Sequence, residues 1–337
     1  MEKLILVTIG PSSLNEEVIT KLSDLGVYLF RINLSHTKIE DLEVIIKNIQ
    51  KWSNIPICLD SEGAQIRNQE MISEFVEFKK DTKVKIHHSA VVGDSENISF
   101  APNNVTKQFK DGDLIRVDFN AVSLKVTKDY DDYLMANVES PGYVGSNKAT
   151  DIDSDVILNP ITEKDEEAFK IGLKNGINNF SLSFTNTAED VKKIRNIIGY
   201  DVNLISKIES IKGVLNLGEI LPLVDQILID RGDLSREVSI EKIPFIQRRI
   251  ISFAKSKKVP VYVATNLLET MIISNSPTRA EVNDIASTLL MGADGLVLAA
   301  ETAIGKHPIG SVNMAKSVID QFYKWSPESS FIDIINN

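Results

Sequence analysis

The stretch NLISKIESIKGVLNLGEILPLVDQILIDRGDLS, residues Asn203–Ser235, holds two apolar runs of strand length, NLISKI and QILID, joined by a short amphipathic segment. Each run ends in charge: Lys207 and Glu209 close the first, Arg231 and Asp233 the second. This is the pattern of a βα repeat. In a parallel α/β protein the chemical groups sit at the carboxyl ends of the strands, and consecutive strand ends lie side by side. Two carboxylates, a lysine and an arginine therefore converge on one small volume. Hard divalent cations take one or two carboxylates together with substrate phosphate oxygens, and this stretch supplies that set.

Outward from it, strands and helices alternate in both directions. LILVTI (Leu4–Ile9) reads as a strand buried on both faces. Val18, Ile19, Leu22 and Leu25 follow at helical spacing, with Gly26 as the stop. YLFRINL (Tyr28–Leu34) is the second strand, and Thr37 with Glu40 predicts a capping box for a helix reaching about Lys51. PICLD, ending at Asp60, is the third. Beyond the gap, Thr162 caps a helix stopped near Gly176, NNFSLSF (Asn178–Phe184) is the fourth strand, and Thr187 with Asp190 starts another helix. After QILID come a helix from about Ile240 to Lys257, the strand VPVYVAT (Val259–Thr265), a helix containing Glu281–Met291, the strand GLVLA (Gly295–Ala299) and a last helix over Pro308–Trp325.

Eight strands alternating with about eight helices predict a TIM (β/α)8 barrel, with an open doubly wound sheet as the alternative. The alternation breaks from about Asn68 to Asp153. There VKIHH, NISFA, LIRVDF, VSLKV and LMANV are separated by Gly, Asp, Asn and Pro, as in a small antiparallel β domain with hairpin turns. The expected organisation is a discontinuous barrel, 1–67 and 154–337, with a β-rich lid, 68–153, inserted after the third strand.

The 337 residues, 43% of them hydrophobic, can bury a large core. A formal net charge of -10 repels nucleic acid and anionic membranes, so neither is an expected partner, and an anionic substrate must be held by a local cationic pocket. Cys58 is the single cysteine, which excludes an internal disulfide and suits a core position. The run opening MEKLILVTIGPSS is too short for a secretory leader, and no run of about 18 apolar residues occurs, so a cytoplasmic protein is expected. There is no G-x-x-x-x-G-K-[ST] loop, no G-x-S-x-G elbow and no zinc spacing; His87 and His88 are neighbours in one run.

The strand ends together carry Gly10, Pro11 and Ser12; Arg31, Asn33, Ser35 and His36; Asp60, Ser61 and Arg67; Ser183; Lys207 and Glu209; Arg231, Gly232 and Asp233; Thr265; and Glu301. Each alone has a plain reading: Glu209 suits a helix N-terminus, Asp233 a Gly-Asp turn, Lys207 a paired strand lysine. Jointly they point to metal-assisted chemistry on an anionic substrate.

At these residues the chain resembles the pyruvate kinase family. TIGPSS, RINLSHT, DSEGAQIR, LISKIES, DRGDLS, ATNLLETMI with PTRAEVNDIA, and GADGLVLAAETAIGKHP match that family's motifs in order, over nearly the whole chain and least clearly in the inserted domain. The resemblance implies phosphoryl transfer from phosphoenolpyruvate to ADP, then protonation of the enolpyruvate. It implies that Glu209 and Asp233 hold Mg²⁺ or Mn²⁺, that Lys207 and Arg31 neutralise the transferring phosphoryl group, and that backbone N–H groups at Gly232 and Asp233, with Arg231 and Ser183 nearby, receive the substrate. Thr265 and Glu301 match positions near the protonated carbon. Asn33, Ser35, Asp60 and Ser61 match K⁺ ligands, and Pro11, His36, Arg67 and Lys148 the ADP/ATP side.

The departures from the family are as specific as the matches. Glu62 stands for the usual Lys, Ala64 for Pro, and Gln65 for Glu or Lys, a position that tracks potassium dependence, so the K⁺ requirement stays open. Asp230 replaces a small residue beside the phosphoenolpyruvate site, Ser235 and Arg236 replace Gly-Val, and Ala299 and Ala300 replace Ser-Gly. Lys148-Ala149-Thr150-Asp151 stands where the family closes its lid domain with Lys-Gly-Val-Asn. The C-terminal domain for allosteric activators is not expected, and a homodimer is. The resemblance leaves three readings: a pyruvate kinase, a relative using the same metal and phosphoenolpyruvate site with another acceptor or in a specialised pathway, and a non-catalytic ligand-binding relative.

Overall fold

A computed structural model of the chain describes residues 2–63, 65–118 and 120–336. Ala64, one of the departures above, and Phe119, the last residue of LIRVDF, lie outside the described residues. The chain forms two compact units, Met1–Gly63 with Pro160–Asn337, and Ala64–Asn159.

In the first unit eight parallel strands close into a barrel in sequence order. They are β1 (Leu4–Ile9), β2 (Leu29–Asn33), β3 (Ile57–Asp60), β4 (Asn179–Leu182), β5 (Asn203–Ile208), β6 (Gln226–Asp230), β7 (Val261–Ala264) and β8 (Gly295–Leu298). β1 pairs with both β2 and β8, which rules out the open sheet. The helices bury one face each against the strands. Glu163–Lys174 packs so closely on β3 that a Cβ at Gly172 would lie 2.5 Å from Leu59 Cδ1. Phe169 on that helix meets Phe180 on β4 edge to face, with centroids 5.1 Å apart. Such a pair adds about 0.5–1.5 kcal/mol beyond the area it buries.

The helix starts expected at Thr162 and Thr187 form, and as capping boxes, with Asp165 and Asp190. The capping box expected at Thr37 does not form. Leu34–His36 is a short 3₁₀ turn, the next helix, Ile39–Trp52, starts after Lys38 with no side-chain cap, and Thr37 Oγ1 donates to Asn33 O instead (2.9 Å). After the last barrel helix, Pro308–Lys324, a short helix spans Phe331–Asn336. Among the described residues no helix is long and apolar enough to cross a membrane.

The second unit is a closed seven-stranded barrel with a separate two-stranded sheet, Val76–Phe78 with Gly142–Val144. Among the described residues its strand pairings are antiparallel except that Lys83–His87 runs parallel to Asn97–Ala101, and an isolated parallel bridge joins Met71 and Gly93. The unit begins and ends further out than the sequence pattern suggested. Ile66–Asn68 is one of its strands, paired with Asn97–Ala101 and Ala149–Ile152, while Val156 and Leu158 pack on its core.

Candidate active site

Side chains alternate along a strand, so residues two apart share a face. Leu6, Leu29, Cys58, Ile205, Leu228, Tyr262 and Val297 form a cluster separate from the larger core beneath the helices, and this is the filling of the barrel interior. Two residues further along the same faces stand Thr8, Arg31, Asp60, Lys207 and Asp230, all buried. The layer next to the carboxyl mouth is therefore built of charge where the layer beneath it is hydrocarbon.

Lys207 stands at the centre of that layer. Its Nζ lies 2.8 Å from Glu209 Oε1, 3.6 Å from Asp60 Oδ2 and 3.9 Å from Asp230 Oδ2, and donates to Ser183 Oγ at 3.1 Å. Arg31 reaches Asp60 Oδ2 at 3.2 Å and donates to Thr8 Oγ1 from Nε and NH2 (3.0 and 2.8 Å). Ser183 Oγ donates to Ser61 O (2.7 Å), and the Ser183 N–H to Ser61 Oγ (2.9 Å), locking the ends of β3 and β4 together. Gly63, with φ +74°, passes so near that a Cβ there would lie 2.7 Å from Ser183 Cβ. Glu62 pairs with Lys164 at 2.8 Å, and Lys164 also donates to Leu34 O, so a cation from the following helix stands beside the position where the family has lysine.

One carboxylate oxygen from each of Glu209, Asp230 and Asp233 lies within 4.8 Å of the others. Burial disfavours the charged form of Lys207, but Asp60, Glu209 and Asp230 overcome it and hold the ammonium above the usual lysine range. Burial raises Glu209, against the pull of Lys207, and Asp233 and Asp230 raise it further; Asp230 is raised by burial in the same way. The cluster holds more negative charge than its cations neutralise, a surplus that a dication would absorb. Asp230 Oδ1 is buried with no hydrogen-bond partner, which suits the same occupant. A metal site of all-oxygen ligands fits these residues.

Other expected site residues have local tasks. The Gly232 N–H, expected to face the substrate, donates to Thr265 Oγ1 (2.8 Å). Thr265 takes φ +71°, an uncommon conformation for a β-branched residue, and its hydroxyl donates to Ala264 O (2.6 Å). Arg231 is committed to Asp284 (2.7 Å) and to Thr265 O (2.5 Å), so it braces the loops after β6 and β7. Glu301 is buried and accepts backbone N–H groups on both oxygens, from Leu268 (3.0 Å) and Ala299 (2.8 Å), which makes it a loop anchor. Asn33 and Asp60, two of the potassium candidates, are paired in register across β2 and β3; Asn33 Oδ1 accepts from the Ser35 N–H (3.0 Å), and Ser61 is engaged by Ser183.

Pro11 and His36 are exposed in the first unit, while Arg67 and Lys148 belong to the second. There Arg67 pairs in register with Ala149 and donates to Asn147 O (3.0 Å), and Lys148 lies 3.5 Å from Asp118. The spacing of eighty residues hid that adjacency. Sequence reasoning also missed Asp284, Lys164 and Asp165, whose carboxylate accepts from Glu62 N (2.7 Å), Gly63 N (3.2 Å) and Thr162 N (2.9 Å). The Thr162-x-x-Asp165 spacing signalled the cap but not its grip on the loop after β3. Arg236, noted only as a departure, pairs with Asp233 at 3.2 Å.

The family model described as "Pyruvate kinase, barrel domain" matches residues 2–312. The chain belongs to the pyruvate kinase family. It is 35% identical to the pyruvate kinase of Thermotoga maritima over 95% of this chain and 71% of that protein. To the pyruvate kinase of Debaryomyces hansenii it is 33% identical, over 92% of this chain and 64% of the relative. The crystal structure of a pyruvate kinase from Cryptosporidium parvum superposes with a TM-score of 0.87 at 32% identity, covering 97% of this chain and 70% of the other. The parallel barrel and the second small barrel are the arrangement expected of the pyruvate kinase family.

Proposed function

We propose that the chain transfers the phosphoryl group of phosphoenolpyruvate to ADP, giving pyruvate and ATP. The observation that carries the reading is Lys207: a buried ammonium held by Asp60, Glu209, Asp230 and Ser183 at the barrel mouth, beside a carboxylate cluster built for a hard cation. Glu209 and Asp233 would hold Mg²⁺ or Mn²⁺. When bound, the ion supplies Lewis acidity toward phosphoryl oxygens and neutralises charge developing on them.

The chain's own residues do the rest by position and charge. Lys207 and Arg31 are fixed before substrate arrives, so their positive charge meets the transferring phosphoryl group without reorganisation. The P–O bond to the enol oxygen breaks as a P–O bond to the terminal oxygen of ADP forms, and Lys207 is placed to stabilise the enolate left behind. The enolate carbon then takes a proton to give pyruvate. Glu301 is not its donor in this reading, because both its oxygens accept backbone N–H groups. Thr265 and Ser183 line the substrate, while Arg231 keeps Thr265 in place. Pro11 and His36 serve the nucleotide.

Asp60 is tied to Arg31 and Lys207 and Ser61 to Ser183, so the reaction is proposed to run on the divalent ion, with K⁺ compared against tetramethylammonium as the check. A cytoplasmic location and a homodimer belong to the proposal, the dimer read by light scattering. The deciding assay supplies phosphoenolpyruvate, ADP, Mg²⁺ and K⁺ to the purified chain. Pyruvate and ATP appear together if the reading is right; absence of both at saturation would falsify it. Because Asp230 adds a buried carboxylate beside the substrate, a second reading has another acceptor, and phosphoenolpyruvate binding without ADP turnover would select it.

A further inference from the structure

We propose that Asp230 is a third protein ligand to the divalent cation and tightens the site's hold on it. This rests on the reading of Glu209 and Asp233 as the cation pair and adds a residue to it. Asp230 ends β6 with its side chain turned into the barrel, 5% exposed. It occupies the cap position of the helix Arg231–Glu237 without a full cap hydrogen bond, although the Asp233 N–H bears on its carboxylate. Its Oδ1 is buried with no hydrogen-bond partner, within a cluster where Glu209, Asp230 and Asp233 each bring an oxygen within 4.8 Å of the others. A buried carboxylate oxygen without a donor is unfavourable unless a cation meets it.

Lys207 does not explain the residue. Asp230 is the most distant of its three carboxylate neighbours, at 3.9 Å against 2.8 Å for Glu209 and 3.6 Å for Asp60, and Ser183 already receives one of its protons. The charge balance points the same way. Asp60, Glu209, Asp230 and Asp233 face Arg31, Lys207 and Arg236, which leaves one carboxylate over. Three carboxylates with no nitrogen or sulfur donor select a hard ion of the Mg²⁺, Mn²⁺ or Ca²⁺ class.

The test is a Mn²⁺ titration of the full chain without phosphoenolpyruvate, followed by electron paramagnetic resonance, on wild type, Asp230→Asn and Asp230→Ala. Circular dichroism confirms that each is folded, and the isosteric Asn variant covers the case in which Ala is not. Wild type binds one Mn²⁺. Asp230→Ala binds it at least tenfold more weakly, and Eu³⁺ luminescence lifetimes in H₂O and D₂O count at least one more metal-bound water than in wild type; Asp230→Asn weakens binding by a smaller factor. Three results overturn the proposal: no Mn²⁺ bound by wild type without substrate, affinity of both variants within threefold of wild type, or weaker binding with an unchanged water count, which would make Asp230 a source of field and not a ligand. These readouts contain no turnover. A chain that binds Mn²⁺ as described but makes no pyruvate sinks the phosphoryl-transfer reading alone.

Discussion

The eight-stranded unit buries Arg31, Asp60, Lys207, Glu209 and Asp230 at one end of its barrel, whereas the seven-stranded unit fills its interior with Val84, Ile86, Ile98, Ile115, Leu124 and Leu134 and leaves Lys83, Lys85 and Lys125 exposed. Among its described residues Asp113 is the one buried charge, and it is satisfied locally by Lys110 N (2.7 Å) and Ser154 Oγ (2.9 Å). Strand direction accounts for the contrast. Parallel strands all end on the same side, so the last inward residue of each meets the last inward residues of the others. Antiparallel neighbours end on opposite sides, and their inward residues meet the middles of other strands, where only hydrocarbon packs without compensation.

That contrast can be broken by experiment. The largest expected effect is on chemistry: Lys207→Met should lower the turnover of phosphoenolpyruvate and ADP by roughly a thousandfold, while Mn²⁺ still binds. Near-normal turnover in the coupled assay would mean that the charged layer does not act on the reacting group. In the other barrel, Leu124→Ala should destabilise the fold by about 2–5 kcal/mol. Native-state hydrogen exchange should show the loss in the strands of the second unit, and equal loss of protection in β1–β8 would show that the two barrels open as one.

Metal sharpens the same distinction. Mn²⁺ at a hundredfold excess over its Kd should stabilise the first unit by about 2.7 kcal/mol, with EDTA reversing it and the second unit's exchange unmoved. Protection appearing in the second unit would place a cation site there as well. The smallest effect belongs to the partly exposed Glu62–Lys164 pair: Glu62→Gln should change stability by less than about 1 kcal/mol in urea unfolding. A larger loss would show that the pair, and not Asp165, holds the loop after β3.

Much of this was legible in the chain because period and punctuation are local. The continuous apolar runs marked the barrel strands, and Thr162, and Thr187 with Asp190, marked helix starts that form as capping boxes. Thr37 carried the same signal and failed it, since the 3₁₀ turn at Leu34–His36 gives its hydroxyl a nearer acceptor in Asn33 O. Strand ends named Lys207 and Glu209 correctly as neighbours, because a charge two residues beyond an inward apolar residue must also face inward. Glu301 and Arg231 read as chemistry and are held as braces; nothing in a motif tells whether a carboxylate meets solvent, substrate or a backbone N–H.

By itself, then, the sequence determined the alternation of strands and helices, the interruption after the third strand and the end of the barrel where charge collects, because each depends on residues a few positions apart. Only the tertiary structure decided which charges meet. Asp60 reaches Arg31 and Lys207, Arg236 reaches Asp233, Arg231 turns to Asp284, and Asp230 joins Glu209 and Asp233 in one cluster. Strand register and barrel closure set those distances, and in a buried layer a few ångströms separate an ion pair from an uncompensated charge.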